Sequence, residues 1–301
     1  MKPWRSQTLL KKYKKFIKVA LTLTALGMGG FFIVASCLFL YLSPKLPSVD
    51  ELKRVELQIP LKVYSEDLQI IAEFGENRRY PTRIEDIPAQ TKNAVIAIED
   101  AHFYKHIGLD WRGIARAVWL TVTTSDERVP GGSTITQQVA RNFFLSNEKT
   151  IIRKVKEVFL AWRIEQNLTK NEILELYLNK IPLGYRSFGV SAAAQVYYGK
   201  TVDELTLAQT AVIAGLPKAP SKLNPIYSPE NARARRSVVL MRMLEEGHIS
   251  REQYDEANAE PITASYHGAE ITLSAPFVAE MARQQVIDMF GEDKAYMQGL
   301  N

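Results

Sequence analysis

The sequence predicts a mainly α-helical protein with a single N-terminal transmembrane helix and short β segments flanking it. Three observations support this fold class: a long uncharged stretch near the N-terminus, helix-capping patterns spread over residues 88–247, and only a few short strand-like runs. A chain of 301 residues with 46% apolar and 24% charged residues is long enough for a packed core and is not disordered in bulk. Its single cysteine, Cys37, excludes a disulfide framework and a cysteine-based zinc site.

The basic character of the chain belongs to its first residues. Residues 1–18 hold seven basic residues and no acidic one, so a net charge of +5 for the whole chain becomes −2 without them. A basic tail on a mildly acidic body gives no support for nucleic acid as a partner.

Residues 19–42 form an uncharged stretch of 24 residues and are predicted to span a membrane. A helix of this length is roughly 36 Å long, against a hydrocarbon core of about 30 Å. The positive residues before it, with only Lys45 just after it, predict a cytoplasmic N-terminus and a body on the far side. The alternatives are a cleaved signal peptide, whose apolar region is shorter, and a lipoprotein signal at Cys37, beyond which the apolar run continues.

An extended segment with short strands follows the membrane span. Pro44, Pro47 and Pro60 predict an extended exit, and residues 61–74 predict two strands that turn at residues 65–67. Near the other end, residues 262–266 and 271–273 are strand-like, and residues 275–290 predict a helix.

Between these regions the pattern is helical. A hydroxyl residue followed three positions later by Glu or Gln is typical of a helix start. This capping box occurs at Thr134–Gln137, Thr169–Glu172, Thr206–Gln209 and Ser250–Gln253. Ser228-Pro229 predicts another start, and Gly184, Gly215 and Gly247 predict helix ends.

The first chemical cluster covers residues 99–108. Glu99 follows the apolar run 94–98, and a carboxylate at the end of an apolar helix is expected to be desolvated, which raises its pKa into a range useful for acid–base chemistry. The alternative is an ordinary helix-terminal acid paired with Lys105 or Arg112. His102 and His106 have the spacing of a zinc pair, but the remaining histidines are far away in the sequence, so no metal site is predicted.

The second cluster covers residues 131–141. Two glycines lead into a helix start, which is a natural anion site, and Ser133, Gln137 and Arg141 recur on one helix face beside Thr134 and Gln138. Such a stripe is suited to sugar hydroxyls and a phosphate, and a solvated, well-capped face is the alternative.

Three further clusters are less specific on their own. In residues 150–163 the spacing predicts a core stripe at Ile151, Val155, Val158 and Trp162, with Arg153, Lys156, Glu157 and Arg163 on another face. Residues 170–179 predict an amphipathic packing helix. Residues 233–240 are a basic helix start, which opposes the helix dipole and indicates a partner outside the helix.

Together and in this order, the five clusters resemble the peptidoglycan glycosyltransferase family, over about residues 45–250. The matching positions are Glu99-Asp100-x-x-Phe103-x-x-His106-x-Gly108, Gly132-Ser133-Thr134-x-x-Gln137-Gln138, Arg153-Lys154-x-x-Glu157, Lys170-x-x-Ile173-Leu174-x-x-Tyr177-x-Asn179 and Arg235-Arg236-x-x-Val239-Leu240. The anchor, the hairpin and residues 275–280 are similar to the N-terminal part of class A bifunctional penicillin-binding proteins of the 1A type. Ser146-Asn147-Glu148-Lys149 matches a penicillin-recognition pattern by chance, since no Lys-Thr-Gly accompanies it.

The resemblance implies a lysozyme-like domain with a small lobe that dips into the membrane. It implies a basic tail (1–18), a transmembrane helix (19–42), an extended and hairpin linker (43–80), the glycosyltransferase domain (81–250) and a linker toward a transpeptidase domain (251–301). A mobile segment at about 142–150 is a family trait. Exposed apolar residues in 107–119 would enter the bilayer, and an ordinary core is the alternative.

The implied activity is polymerisation of lipid II into β-1,4 glycan strands with inversion and release of undecaprenyl pyrophosphate. The implied partners are lipid II, the growing glycan, lipid of the bacterial inner membrane and cell-wall synthesis proteins, with the catalytic domain outside the cytoplasm. No cofactor is obligatory, and a divalent cation (Mg or Mn) would assist. A muramidase of the same fold class and a membrane-anchored scaffold are the alternatives.

The carboxylates Glu99 and Glu157 are the candidate catalytic residues, with Glu99 acting on the acceptor hydroxyl as base or, in other descriptions of the family, as acid. The basic residues would neutralise the pyrophosphate leaving group. The candidate substrate-binding residues are Asp100, Phe103, His106, Arg116, Ser133, Thr134, Gln137, Gln138, Arg141, Arg153, Lys154, Lys156 and Asn179.

Overall fold

A computed structural model describes residues 61–74, 78–123, 132–145, 150–268, 273–291 and 294–295, with isolated positions between 17 and 46. The chain divides into two units, Met1–Pro47 and Ser48–Asn301. The predicted span 19–42 is described only at isolated positions, each of them helical, and the described residues include no helix both long and apolar enough to cross a membrane. Residues 146–149, which hold the chance penicillin-recognition pattern, lie outside the described residues.

The first described residues of the second unit form the predicted hairpin. Strands β1 (Leu61–Tyr64) and β2 (Ile70–Phe74) pair antiparallel, with Leu61 opposite Phe74. The turn is closed by Ser65, whose carbonyl accepts from the backbone of Leu68 at 3.0 Å, and Leu68 takes a positive φ of 61°. The hairpin prediction is confirmed.

The body of this unit is helical. Its helices are α1 (Ala89–Glu99), α2 (Trp111–Thr123), α3 (Ile135–Phe144), α4 (Ile151–Asn167), α5 (Lys170–Lys180), α6 (Val190–Tyr198), α7 (Leu207–Gly215), α8 (Pro229–Glu245), α9 (Arg251–Ala259) and α10 (Pro276–Phe290). Short 3₁₀ turns cover Phe103–Lys105, Val202–Glu204 and Leu216–Lys218. The predicted mainly α fold with short β segments is therefore confirmed.

Two packing groups position the functional residues. Helices α1, α7 and α8 pack against one another, and α3 packs against α4 and α5. All six residues 135–140 at the start of α3 are buried, which places this polar helix start inside the protein rather than on its surface. Helix α10 packs on the β1–β2 hairpin.

The capping patterns in the sequence predicted the helix starts correctly. Thr134, Thr169, Thr206 and Ser250 each cap a helix and form the complete capping box. Helix α8 begins at Pro229 as predicted, although Ser228 makes no side-chain capping bond. Gly215 ends α7, and Gly247 follows α8 with a φ of 74°.

Gly184 does not end a helix, contrary to the prediction. Helix α5 ends at Lys180, and Gly184 closes strand β4 (Pro182–Gly184). Strand β5 (Ser187–Phe188) lies between β4, to which it is antiparallel, and β3 (Arg78–Arg79), to which it is parallel. The glycine is used for the tight β4–β5 turn, where it takes a φ of 93°.

The strand predicted at residues 262–266 is also absent from the described structure. Residues 261–268 have no regular secondary structure, and two of their backbone N–H groups donate to the end of α6: Ser265 to the carbonyl of Tyr197 at 3.0 Å and His267 to that of Val196 at 2.9 Å. The last carbonyls of a helix lack partners within it, so this segment satisfies those of α6 instead of pairing with a strand. Of the second predicted strand, residues 271 and 272 lie outside the described residues.

Candidate active site

Glu99 lies at the end of α1, after the buried residues 94–97. The side-chain amide of Gln138 donates to Glu99 Oε2 at 2.7 Å. Burial raises the pKa of the Glu99 carboxyl above its ordinary value of 4.5, against the lowering effects of the Gln138 hydrogen bond and of Arg235 and Arg141. The apolar helix therefore desolvates this carboxylate, as its sequence indicated.

Asp100, the next residue, has structural partners instead. Its carboxylate accepts from the backbone N–H of Ile135 at 3.0 Å and contacts His106 Nε2 at 2.9 and 3.0 Å. Ile135 is the first residue of α3, so a negative charge lies at the positive end of that helix. Asp100 and His106 therefore fix α3 against the end of α1, where Glu99 lies.

The start of α3 uses the hydroxyl and amide groups that the sequence placed in one stripe. Thr134 Oγ1 donates to the carbonyl of Gly108 at 2.7 Å and accepts from the backbone of Gln137 at 3.2 Å. The Gln137 amide oxygen accepts from the backbone of Thr134 at 3.0 Å. Thr134 and Gln137 are both buried, and the contacts they make hold the backbone of the site.

Gln138 is the residue of this helix that contacts the candidate catalytic carboxylate. Its amide oxygen accepts from the hydroxyl of Tyr177 at 3.4 Å while its amide nitrogen donates to Glu99. Burial raises the pKa of Tyr177 well above its ordinary value of 10.0, so this hydroxyl remains protonated and can donate. The tyrosine thereby orients the amide toward Glu99.

Glu157, the second candidate carboxylate, is 1% exposed on α4. Lys154 Nζ donates to its Oε2 at 2.7 Å and also donates to the hydroxyl of Ser133 at 2.8 Å. Arg153 Nε lies 3.6 Å from Glu157 Oε1, beyond hydrogen-bond distance. Neither Arg153 Nε nor Glu157 Oε1 makes a hydrogen bond to a described residue, so both atoms have bonding capacity left.

The predicted core stripe of α4 was wrong. Trp162 is 42% exposed and Val155 and Val158 are only half-buried, while the side chain of Ile151 lies outside the described residues. The buried face instead combines Glu157 with the apolar residues 160, 161 and 164. A carboxylate can occupy this face because Lys154 and Arg153 supply its counter-charges.

The remaining candidate residues Phe103, Asn179 and Arg116 each have separate surroundings. Phe103 is fully buried, with Lys170 Nζ 4.4 Å from its ring centre. Asn179 bonds both backbone groups of Thr82, accepting at 2.9 Å and donating at 2.8 Å, and so fixes the chain before α1. Arg116 is exposed on α2.

Two further basic candidates are half-buried. Arg141, on α3, is half-buried and close enough to Glu99 to lower its pKa. Lys156, on α4, is also half-buried.

The histidines of the first cluster do not share a site. His102 Nδ1 lies 3.7 Å from Asp110, whereas His106 contacts Asp100. Within the described ranges no group of three or more His, Cys, Asp or Glu side chains is arranged to hold a metal ion.

Three apolar residues next to the first cluster are exposed. Ile107 is 72%, Trp111 70% and Trp119 69% exposed, so these positions are not part of a core.

Sequence reasoning missed several contributors. Tyr177 was assigned to packing alone, and Arg235 was not among the candidate residues, although it belongs to the fifth matching cluster. Glu165 accepts from Thr136 at 2.5 Å and from Lys170 at 2.7 Å, which joins α3, α4 and α5 beneath the site. The spacing of Thr136, Glu165 and Lys170 gave no signal for this contact.

Comparison with known proteins shows the family to which the chain belongs. The transglycosylase family model matches residues 67–244, more than half of the chain. The chain is 53% identical to penicillin-binding protein 1A of Vibrio cholerae over 97% of its length and 54% identical to that of Escherichia coli over 96%, but spans only 35% and 33% of those proteins. The crystal structure of penicillin-binding protein 1A from Haemophilus influenzae covers 81% of this chain at 40% identity with a TM-score of 0.48, and 26% of that chain is matched. The protein belongs to the transglycosylase family.

Proposed function

We propose that this chain is a peptidoglycan glycosyltransferase that polymerises lipid II into β-1,4 glycan strands. The observation that carries the proposal is the placement of two carboxylates, the half-buried Glu99 and the buried Glu157, around the start of α3. Gln138 of this helix contacts Glu99, and Ser133, just before the helix, contacts the Lys154–Glu157 pair. The two carboxylates therefore serve one site, and each has partners of a different kind.

In this proposal Glu99 is the general base for the acceptor 4-hydroxyl. A sugar hydroxyl is a weak nucleophile, so a carboxylate with a raised pKa is suited to take its proton as the new bond forms. Glu99 meets this requirement because it is desolvated and its close hydrogen-bond partner is a neutral amide rather than a cation. The acceptor oxygen bonds to the anomeric carbon from the side opposite the leaving group, which gives inversion.

The α4 side of the site would manage the leaving group. As the bond from the anomeric carbon to the pyrophosphate oxygen breaks, its electron pair remains on the pyrophosphate, whose charge needs positive partners. Lys154 and Arg153 carry these charges, and Glu157 holds both side chains in place. Arg141 and Lys156 would add to the positive potential, and Arg116, which is exposed on α2, would contribute where the donor enters.

A divalent cation, magnesium or manganese, would supplement these side chains rather than replace them. Activity that survives chelation with EDTA would show that the basic residues suffice.

The location we propose is the outer face of the bacterial inner membrane, with the N-terminus in the cytoplasm and a lysozyme-like catalytic domain. The seven basic residues in 1–18 and the uncharged residues 19–42 support this orientation. The exposed Trp111 and Trp119 support contact of α2 with the membrane interface, where tryptophan is enriched. Enzyme and lipid substrate would then meet at one surface, together with the growing glycan and other cell-wall synthesis proteins.

The test is incubation of the detergent-solubilised chain with labelled lipid II, followed by separation of products on a gel. A ladder of long glycan from the wild type, and none from a folded Glu99→Gln variant, is the expected result. Fragments released from isolated sacculi without a ladder would favour a muramidase. No product from the folded wild type in either assay would favour a scaffold.

A further inference from the structure

The turn between β4 and β5 is made of residues that such a turn disfavours. Its two central residues are Tyr185 and Arg186, with φ values of 47° and 56°. A two-residue turn with positive φ at both positions is usually made by Asn and Gly, because a Cβ atom crowds the backbone in this conformation. A bulky pair held in a strained turn is a mark of a functional position, so the surroundings of the two side chains were followed.

The ring of Tyr185 is surrounded by three other tyrosine rings. The centre of the Tyr197 ring lies 5.8 Å away in an edge-on arrangement, and those of Tyr227 and Tyr266 lie 5.6 and 4.9 Å away in more nearly parallel arrangements. The four rings come from the β4–β5 turn, from α6, from the residue before the cap of α8 and from the segment 261–268. Tyr185, Tyr227 and Tyr266 form the tyrosine platform.

The platform has a rigid base. Tyr197 is fully buried, and its hydroxyl donates to the carbonyl of Leu183, in β4, at 2.8 Å. A Cβ atom added at Gly184 would lie 2.5 Å from this hydroxyl oxygen, so the glycine leaves room for Tyr197 to reach the strand. The turn that carries Tyr185 is therefore fixed from the inside of the protein.

The outer part of the platform faces solvent. Tyr227 is 74% exposed and Tyr266 is 52% exposed, while Tyr185 between them is half-buried and Arg186 is exposed. Aromatic rings that are already stacked on one another lose little side-chain freedom when a ligand arrives. The platform is therefore ready to bind before it meets a partner.

The surroundings of the platform favour a small ligand over another protein. In the described segments 181–188, 216–228 and 261–268, no leucine, isoleucine or methionine side chain is exposed. The buried core of a protein–protein interface is more apolar than the rest of the surface. Tyrosine rings without exposed aliphatic neighbours lack such a core.

A sugar ring has the chemistry that matches these side chains. One face of a pyranose ring presents C–H bonds, which stack on the electron-rich face of an aromatic ring, while its edge carries hydroxyl groups. The tyrosine hydroxyls can donate and accept hydrogen bonds, and the guanidinium of Arg186 offers several donors. The platform therefore combines a stacking surface with polar groups at its edge.

We propose that the tyrosine platform, together with Arg186, binds pyranose rings of a β-1,4-linked glycan. The platform shares no residue with the contacts of Glu99 and Glu157, so it is a binding site additional to the proposed catalytic one. The proposal rests on the proposed function in one respect, since the ligand is taken to be the glycan that the proposed reaction makes.

The test is saturation-transfer NMR of the detergent-solubilised chain with a β-1,4-linked tetramer of N-acetylglucosamine as the probe. Irradiation of aromatic protons should transfer saturation to C–H protons of the sugar. Tyr227→Ala should weaken binding about threefold to tenfold, the worth of one aromatic contact. Tyr227→Phe keeps the ring and should retain most of the binding, and Phe277→Ala, at an 86% exposed aromatic residue on α10, should leave it unchanged.

The strained turn gives a second, opposite readout. Arg186→Gly relieves the positive φ of an exposed residue, so the variant should melt at a higher temperature than the wild type while it binds the tetramer more weakly. A lower melting temperature would show that the arginine serves packing, and would count against a turn strained for a ligand.

The binding measurement does not depend on glycan synthesis. A wild type that binds the tetramer through the platform but makes no glycan from lipid II would support this site while the proposed function fails. Unchanged binding in folded Tyr227→Ala and Tyr266→Ala would place the sugar elsewhere and overturn the proposal. Absence of binding by the wild type would also overturn it and leave the platform to a protein partner.

Discussion

Glu99, which is half-buried, and Glu157, which is 1% exposed, are both linked to the start of α3, and they differ in how their charge is balanced. Glu99 accepts one close hydrogen bond, from the neutral amide of Gln138, and its cations act from further away. Glu157 accepts directly from Lys154 and has Arg153 beside it. The difference teaches that the two carboxylates have partners suited to different tasks, a neutral amide beside Glu99 and cations beside Glu157.

The largest expected effect separates the two residues at once. Glu99→Gln removes the only proton acceptor proposed for the acceptor hydroxyl, so polymerisation should fall by roughly 1000-fold, within the range of general-base contributions. Glycan synthesis from lipid II measures this. Near-normal turnover by this variant would remove Glu99 from the mechanism.

The same substitution should not destabilise the protein at neutral pH. The pKa of Glu99 is raised by burial, so folding favours the protonated form and the ionised form opposes folding. Thermal unfolding should therefore show Glu99→Gln at least as stable as the wild type at pH 7, with the difference vanishing below about pH 4.5, the ordinary value, where the carboxyl is protonated in both states. A variant less stable at neutral pH would contradict this assignment.

The second largest effect is expected for Glu157. Glu157→Gln leaves Lys154 and Arg153 without their counter-charge, so the cations lose their fixed positions and the rate should fall by about 10- to 100-fold. In contrast to Glu99→Gln, the loss should be similar across the pH range. A loss below tenfold in the same lipid II assay would count against a catalytic role for Glu157.

A smaller, pH-dependent effect belongs to Glu99 alone. Gln138→Leu removes the hydrogen bond that lowers the pKa of Glu99, so that pKa rises further and the acidic limb of the rate profile moves to higher pH. Activity at the acidic end should fall by about threefold and recover on the alkaline side. Gln137→Leu is the matched control, since it breaks the capping box and costs about 1 kcal/mol of stability without moving the limb.

The smallest expected effect concerns the N-terminal cap of α4, the helix that carries Glu157. Thr150 caps α4 by accepting from the backbone of Arg153 at 3.1 Å, so Thr150→Ala should cost about 1 kcal/mol and loosen the first turn that carries Lys154 and Arg153. Activity should fall by less than about threefold, with no change in pH dependence. Thr169→Ala, at the start of α5, is a control with a similar loss of cap and no effect on the α4 pair. If the acidic limb of the rate profile moved in Thr150→Ala, the α4 cations would not act independently of Glu99.

Local signals in the sequence predicted local structure. The capping boxes, the β1–β2 hairpin and the start of α8 at Pro229 depend on neighbouring residues and are confirmed. The buried face of α4 could not be predicted, because periodicity assigns Glu157 to solvent unless the cations beside it are counted as its counter-charges. The strand predicted at 262–266 failed for a related reason, since its partner is a helix end.

In the candidate site, too, the sequence indicated single residues but not the contacts between helices. The resemblance to a family marked Glu99, Gln138 and Glu157, but which groups contact each other depends on tertiary packing. The contact of Tyr177 with Gln138 joins two helices 39 positions apart, and nothing in the spacing indicates it.

The exposure of Glu157, only 1%, has a consequence for ligand binding. Water was removed from this carboxylate when the chain folded, so its attraction for Lys154 and Arg153 is in place before an anion arrives. Association at the α4 side should therefore require no further desolvation of Glu157, and the water lost there on binding comes from Lys154, whose side chain is 47% exposed, and from the ligand.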